Sequence, residues 1–441
     1  MDPVEAPADP GRPSGAVTHD AASRLRRWGP YGLAPVLVLV AASFIDGMES
    51  NFIPGVLSLL QKEFHFGDTA AGAIPAAMAI AGLIVTLPAG YLADRTNRKR
   101  LLAIVVASWS VFTLASGLAT TFVMFFVIRV ILGAAANIDN PLSASLVTDF
   151  YPASSRARVF AFIRAGGYVG LALGIAIGGA LGQAFGWRAP FFFMVIPGLV
   201  VAFFVWRLTE PPRGGFDSEP TDQVLAKGAG ALWADCRSVL AVPTLKFLFV
   251  GVAVAFAGFN GLGYWLPSFW ERQFDLSEGE AAALTGALAL VATMVGFWIG
   301  GVLGDRWHRE RPSGRIDLAA ITLLLGGALL ATALAVGVLA LQLPLMLCAA
   351  VLIIVGIPSQ TAAVADVLPA ARRGIGYALF SFLVAVSASL GPLVVGIVSD
   401  VTGSLRTALI VMALPCIPGA LVLSRARRTY VADSAAIAVT E

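Results

Sequence analysis

The chain has 441 residues, 58% hydrophobic and only 13% charged, with a mean hydropathy of +0.82 and a net charge of +3. A soluble fold of this length cannot hide so much apolar surface, and so small a net charge gives no reason to expect a nucleic-acid partner. Runs of about 20 apolar residues cross a bilayer core as helices. Twelve occur, at roughly 33–60, 70–92, 101–119, 121–149, 157–182, 189–208, 244–270, 280–303, 317–340, 343–366, 373–399 and 405–424. The fold class predicted is an all-α membrane protein.

Residues 1–30 are rich in Pro, Gly and Ala and end in RLRRWGP, which predicts a disordered tail. The apolar run that follows is too long for a signal peptide and is expected to stay as the first span. That span carries Asp46, Glu49 and Asn51; the fourth carries Arg129, Asn137, Asp139 and Asn140, and the fifth carries Arg164. Charges inside a span are costly and are functional candidates. With a rise of ~1.5 Å per residue, Asp46 lies about 20 Å from the side on which the first span begins. Arg129 lies about 18 Å from the same side of a core about 30 Å thick. Arg164 lies at roughly 10–12 Å, with Asp139 nearer that side than Arg129 is. Two ion pairs are therefore expected, Asp46–Arg129 and Asp139–Arg164. In low dielectric, a carboxylate beside an arginine stays ionised and one that loses this partner takes a proton. Asp46 is the first choice for a proton site and Arg129 for a substrate-anion site, with Glu49 one turn beyond, near an outer vestibule. Structural salt bridges holding the first half together are the alternative.

The fifth span places Gly166, Gly170, Gly174 and Gly178 at four-residue spacing, which lets neighbouring backbones approach closely, either to move or simply to pack. Within the polar segment 210–243, QVLAKGAGALWADCRSVLAV (223–242) fits an amphipathic helix on the membrane face or a flexible linker. The second half lacks intramembrane charges. Its expected cavity face has Asn260, Tyr264 and Trp265 on the seventh span and Gln360 on the tenth, among Phe256, Phe259, Phe380 and Phe382. A cavity charged on one side and aromatic on the other suits an amphiphile; phenylalanines that face lipid or pack are the alternative. Cys236, Cys348 and Cys416 are scattered and His19, His65 and His308 isolated, so no metal, cofactor or enzymatic activity is expected. No glycine loop for ATP phosphates appears.

Lysines and arginines mark the cytoplasmic side. They gather in the N-terminus, the even-numbered loops (Arg95, Arg98, Lys99, Arg100; Arg156, Arg158; Arg306, Arg309, Arg311, Arg315; Arg372, Arg373), the central segment and the C-terminus, whereas the odd-numbered loops hold almost none (Lys62, Arg188, Arg272, Arg406). Both termini are expected to be cytoplasmic. The chain also repeats itself. Shifted by 211, GYLADR falls on GVLGDR, matching Gly90, Asp94 and Arg95 with Gly301, Asp305 and Arg306. Shifted by 217, Pro141, Asp149, Pro152, Gly174 and Gly186 fall on Pro358, Asp366, Pro369, Gly391 and Gly403. The organisation predicted is two parallel six-helix halves, 31–209 and 244–424, joined by 210–243 and followed by a tail, 425–441.

This architecture resembles the major facilitator superfamily, in which substrate lies between two halves that rock against each other. The loop GYLADRTNRKR is similar to that family's gating loop. The resemblance implies that Gly90, Asp94, Arg95 and Arg98 close the cytoplasmic side, with Asp149 the partner of Arg95, and that Asp305, Arg306 and Asp366 repeat these parts. The fifth span resembles the antiporter pattern GxxxGPxxGG, with Ile175 in place of its Pro.

GYLADRTNRKR, the RxxxG of Arg129 and Gly133, TEPPRGG at 209–215 and YWLPSFW at 264–270 are similar to stretches of the Spinster family. That resemblance implies a proton-coupled secondary transporter of lysophospholipids or sphingoid phosphates. The chain departs from that family where its first-span Asp-Arg pair becomes Asp46-Gly47 and the Glu of its GxGEAS becomes Ala136. Organic-anion symport is the alternative, since Pro141 fits the RxxxG…P of those families; drug or metabolite efflux and a non-transporting receptor are further ones. The expected partners are a small amphiphile or anion, protons and membrane lipids. The expected state is a monomer in a bacterial inner membrane.

Overall fold

The computed structural model describes residues 31–136, 138–212 and 229–438, with side chains for all of these except 86–95, 140–141, 153–154, 157, 229–233, 370–371 and 438. Every regular element among them is helical. In chain order these are α1 (Ala34–Ser50), α2 (Phe52–Phe64), α3 (Asp68–Arg95), α4 (Arg98–Gly117), α5 (Phe122–Ala136), α6 (Asp139–Phe150), α7 (Ala153–Phe185) and α8 (Ala189–Arg207). They continue as α9 (Ala229–Ala241), α10 (Pro243–Phe274), α11 (Glu278–Glu310), α12 (Gly314–Ala335), α13 (Leu339–Asp366), α14 (Ala370–Thr402), α15 (Leu405–Ala413), α16 (Cys416–Arg425) and α17 (Arg427–Ala438). Among the described residues, 11 helices are long and apolar enough to span a membrane, and the shorter Phe122–Ala136, extended by α6, completes twelve.

Three spans are broken, each near a proline. Pro54 has no N–H for the carbonyl of Ser50, and the first span bends at Asn51, whose side-chain amide donates back to Gly47 O at 2.8 Å. Pro141 interrupts the fourth span in the same way, between α5 and α6, and Pro415 the twelfth, between α15 and α16.

The sequence repeat is a structural repeat. Pro152 and Pro369 start α7 and α14 with the same extended backbone (φ −65°, ψ 155° and φ −64°, ψ 153°). Gly186 (φ +86°) and Gly403 (φ +67°) end them in conformations that a side chain would strain. The glycine stripe of α7 lies against the first span, α1 and the start of α2: a Cβ at 166, 170, 174 or 178 would run into Val40, Phe44, Met48 or Phe52. These glycines pack two helices of the same half rather than forming a moving boundary.

The first and last described residues lie on one side of the bundle, the near face; Tyr151 donates to Gly32 O at 2.9 Å there. The halves meet from mid-bundle to the opposite, far face, where α7 packs on α11 (Ala172 at Gly286, Gly179 at Ala282) and α3 on α14 (Gly72 at Pro392, Asp68 at Gly396). The core follows the same division. One buried cluster runs from Ile53, Leu57, Phe125 and Phe191 of the first half into Trp265, Phe269 and Leu323 of the second. The other, around Leu39, Val106, Trp109, Leu132 and Leu146, stays within the near part of the first half.

Of the segment expected to be amphipathic, 229–241 is helical; 223–228 lies outside the described residues. The expected C-terminal tail is instead helical over α17 and docked. Asp433 accepts from the Thr244 N–H (3.1 Å) and hydroxyl (2.6 Å), so the last helix caps the start of α10.

Candidate functional site

Between the halves, α1, α2, α3, α7, α10, α11, α13 and α14 enclose a cavity of about 480 Å³. Its walls include Phe256, Phe259, Phe297, Tyr168, Met78 and Leu171, with polar atoms supplied by Ser50, Asn51, Asn260, Tyr264, Thr285, Thr293 and Ser389. Among the described residues no charged side chain lines it. Asn260 and Tyr264 are in its wall as expected. Asn260 spends its amide on Phe256 O at 3.3 Å, and the Tyr264 hydroxyl donates across the halves to Ala71 O at 2.9 Å. Trp265 is instead buried, donating to Pro392 O at 2.9 Å, and Gln360 is buried outside the cavity; Phe380 packs on Phe249, and Phe382 faces outward.

The intramembrane charges sit beside this cavity, inside the first half, and their pairing differs from the expected one. Arg129, with no exposed surface, forms its ion pair with Glu49 rather than Asp46. The Thr113 hydroxyl donates to the same Glu49 oxygen at 3.1 Å. Glu49 is three residues beyond Asp46 and a methylene longer, and those three residues turn it away from Asp46 and toward α4 and α5. Level alone could not separate the two acids. Asp46 forms no ion pair and feels the charges of Asp139 and Glu49. Asp139 accepts from Ser143 at 2.6 Å, and Arg164 is exposed and forms no ion pair, so the expected Asp139–Arg164 pair is absent. Asn137 lies outside the described residues. Arg129 keeps Nε and Nη2 buried without a hydrogen-bond partner.

On the near face the residues expected at a gate form ion pairs, in part with other partners than expected. The side chains of Asp94 and Arg95, and the environment of Gly90, lie outside the described ones. Asp149 accepts from Arg98, which also donates to Ser145 (2.8 Å), Glu210 (3.2 Å) and Pro211 O (3.2 Å). In the second half Asp366 pairs with Arg315 at 2.5 Å, not with Arg306, which turns along its own helix to Glu310 at 2.9 Å. Asp305 meets Arg315 at 3.6 Å. Arg98 and Arg315 stand 217 positions apart, the same shift that relates Asp149 to Asp366. They begin α4 and α12, so each guanidinium reaches the last turn of α6 or α13, where the exposed carbonyl end of the helix adds attraction.

Several participants were not anticipated. Glu210 caps α4, accepting the N–H groups of Arg98 (3.3 Å) and Lys99 (2.9 Å); the acid before the proline pair was its signal. On the far face Asp68 accepts two bonds from Arg272, each 2.7 Å, and one from Ser399 at 2.6 Å, while Asp400 accepts the N–H of Thr69 at 2.8 Å. Lys62 pairs with Glu278 at 3.0 Å. These bonds clasp the two halves together. Their signal was the scarcity of basic residues in the odd-numbered loops.

Comparisons with known proteins agree with this geometry. The sequence pattern of the family described as Major Facilitator Superfamily matches residues 39–359. The chain is 23% identical over 426 residues to the probable L-galactonate transporter of Escherichia coli K12, covering 88% of this chain and 87% of that one. It is 27% identical over 324 residues to mouse protein spinster homolog 3, covering 68% of this chain and 60% of that protein. In fold it resembles a crystal structure of a bacterial homolog of the human lysosomal transporter Spinster, inward-facing and unoccupied. The TM-score is 0.82 at 22% identity, over 92% of this chain and 98% of that one. The chain belongs to the major facilitator superfamily.

Proposed function

We propose that this protein is a secondary active transporter that works by alternating access, couples transport to protons, and moves an amphiphilic or anionic small molecule of the lysophospholipid class. The observation that carries this reading is the cavity, about 480 Å³, aromatic and aliphatic on most of its wall and without a charged lining residue. Apolar walls with a few polar groups suit a molecule with a hydrocarbon chain. A sugar diacid would leave its carboxylates unpaired there, at a cost of several kcal/mol each, on the order of the penalty for a buried ion.

Asp46 is the proposed proton site because, like Asp139, it is an intramembrane carboxylate of the first half without a cation partner, and of the two it lies on the helix that reaches the cavity, four residues before the lining residue Ser50. The clasp on the far face and the basic residues on the near face support a cycle in which the cavity opens toward the chain ends, taken as the cytoplasmic side of a bacterial inner membrane. The proposed organisation keeps 31–209 and 244–424 as the rocking halves of a monomer.

A second reading is organic-anion symport. The Escherichia coli galactonate and galactarate/D-glucarate transporters align with 88% and 85% of this chain, more of it than the spinster homologues do. Proteoliposomes with an imposed pH gradient separate the two. Gradient-driven uptake of a fluorescent lysophospholipid, abolished in Asp46→Asn, is the expected result; uptake of galactonate or glucarate without lysophospholipid would replace it with the second reading.

A further inference from the structure

Of the two basic residues singled out in the spans of the first half, Arg129 pairs with Glu49, and Arg164 is left without a partner among the described residues. It is exposed, and it makes neither an ion pair nor a hydrogen bond among the described residues. Its position on α7 decides which way it faces. Tyr168, Leu171 and Ile175 of the same helix line the cavity. Arg164 precedes them by four, seven and eleven residues, the spacing that keeps side chains on one face of a helix. Phe162, exposed as well, is about 200° around the helix on the other side. Arg164 therefore continues the cavity wall one turn, about 6 Å, toward the near face, on the side where the halves are not packed against each other.

We infer, resting on the reading of the cavity given above, that Arg164 is the anion-binding residue at the mouth of the cavity, and that its ligand is a single-chain amphiphile with an anionic head. A guanidinium presents two parallel donors to a phosphate or carboxylate, and an unpaired one at an apolar rim is ready to do so. The orientation follows from the surroundings. The chain enters the interior past Tyr168, and the head stays at Arg164, because among the described residues no charged side chain lines the cavity beyond it. Arg129, fully buried and paired with Glu49, is not available to a head group in this state.

The test is equilibrium binding to the full chain in phosphatidylcholine nanodiscs. Four radiolabelled probes are compared: a lysophosphatidic acid, a fatty-acid anion, a monoacylglycerol of the same chain length, and glycerol 3-phosphate. For wild type, tight binding of the first two, weaker binding of the third and none of the fourth are expected. Arg164→Gln should weaken both anionic amphiphiles by roughly ten- to a hundredfold, the range for a charged hydrogen bond, and leave the monoacylglycerol within about twofold. Arg164→Lys should retain part of the phosphate affinity. Loss of lysophosphatidic acid alone assigns the site to phosphate heads, and loss of both to anions in general. Wild-type preference for anionic heads that survives in Arg164→Gln overturns the role of Arg164 and leaves the cavity reading standing. Wild type that binds glycerol 3-phosphate and no amphiphile overturns both.

Discussion

The two halves carry the same arginine–aspartate pair at the near face and close it with different material. Arg98 and Asp149 are almost fully buried, and the loop after α8 returns to them, so that Glu210 and Pro211 saturate the guanidinium. Arg315 and Asp366 keep 17% and 23% of their side-chain surface, and it is the last helix of the chain, through the hydroxyl of Tyr430, that covers Asp366. Away from these pairs the halves diverge further. The first encloses Arg129 with Glu49, Asp46 and Asp139, whereas the interior of the second relies on Asn260, Tyr264, Gln342 and Gln360. The repeat is thus kept where helix ends must be fastened and given up where the cavity is walled. The second half reaches the same fold without intramembrane charge, so the fold itself does not call for the charges of the first half.

The largest effect is expected inside the first half. Arg129→Met leaves Glu49 buried without a cation, and breaking a buried pair from one side costs about 3–5 kcal/mol. The thermal midpoint in detergent should fall sharply, and adding Glu49→Gln should recover most of the loss. In the second half, Gln360→Leu should cost under about 1 kcal/mol, since Gln360 Oε1 is buried without a partner and its removal relieves desolvation. Equal losses in the two halves would erase the contrast.

At the near face the expected difference is smaller. Arg98→Ala removes a buried cation from two carboxylates, a hydroxyl and a carbonyl, and about 2–4 kcal/mol is expected. Arg315→Ala, at a partly hydrated site, should cost about 1–2 kcal/mol. Chemical denaturation of the two variants side by side checks the order, and the reverse order would show that the Glu210 loop does not reinforce its pair.

Much of this arrangement was legible in the sequence. The spans follow from apolar runs, and the duplication from offsets that turn up again as matching helix starts at Pro152 and Pro369. Asn260 and Tyr264 could be assigned to the cavity because polar residues amid aromatics on one helix face have few other places to go. Partner choice was not legible. A rise per residue gives the level of a charge to about one turn, and within a turn the direction around the helix decides. Glu49 and Asp46 share a level, yet one meets Arg129 and the other forms no ion pair. Arg98 is likewise expected at the gate without a stated partner, and where α4 begins decides that it reaches Asp149. The final helix was hidden for another reason. Its apolar content is low, and it is held by Thr244 and Asp366, residues 185 or so and 64 positions away in the chain, through contacts that only the folded bundle creates.

Tyr430 gives the finest test of the comparison. Its ring is fully buried and its hydroxyl donates to the same Asp366 oxygen that Arg315 contacts. Tyr430→Phe keeps the ring and removes the donor, leaving the carboxylate still paired with arginine, so the loss should be that of one hydrogen bond to a charged group partly offset by solvent, about 0.5–1.5 kcal/mol. Tyr430→Ala also removes the packing of α17 and should cost more, about 3–5 kcal/mol for a fully buried aromatic ring. If the last helix fastens the second half as the Glu210 loop fastens the first, Tyr430→Phe should be additive with Arg98→Ala, which lies in the other half, and non-additive with Arg315→Ala, which shares its carboxylate. Additivity with both would mean that Tyr430 holds α17 in place without acting on the pair, and the parallel between the two closures would then be one of position only.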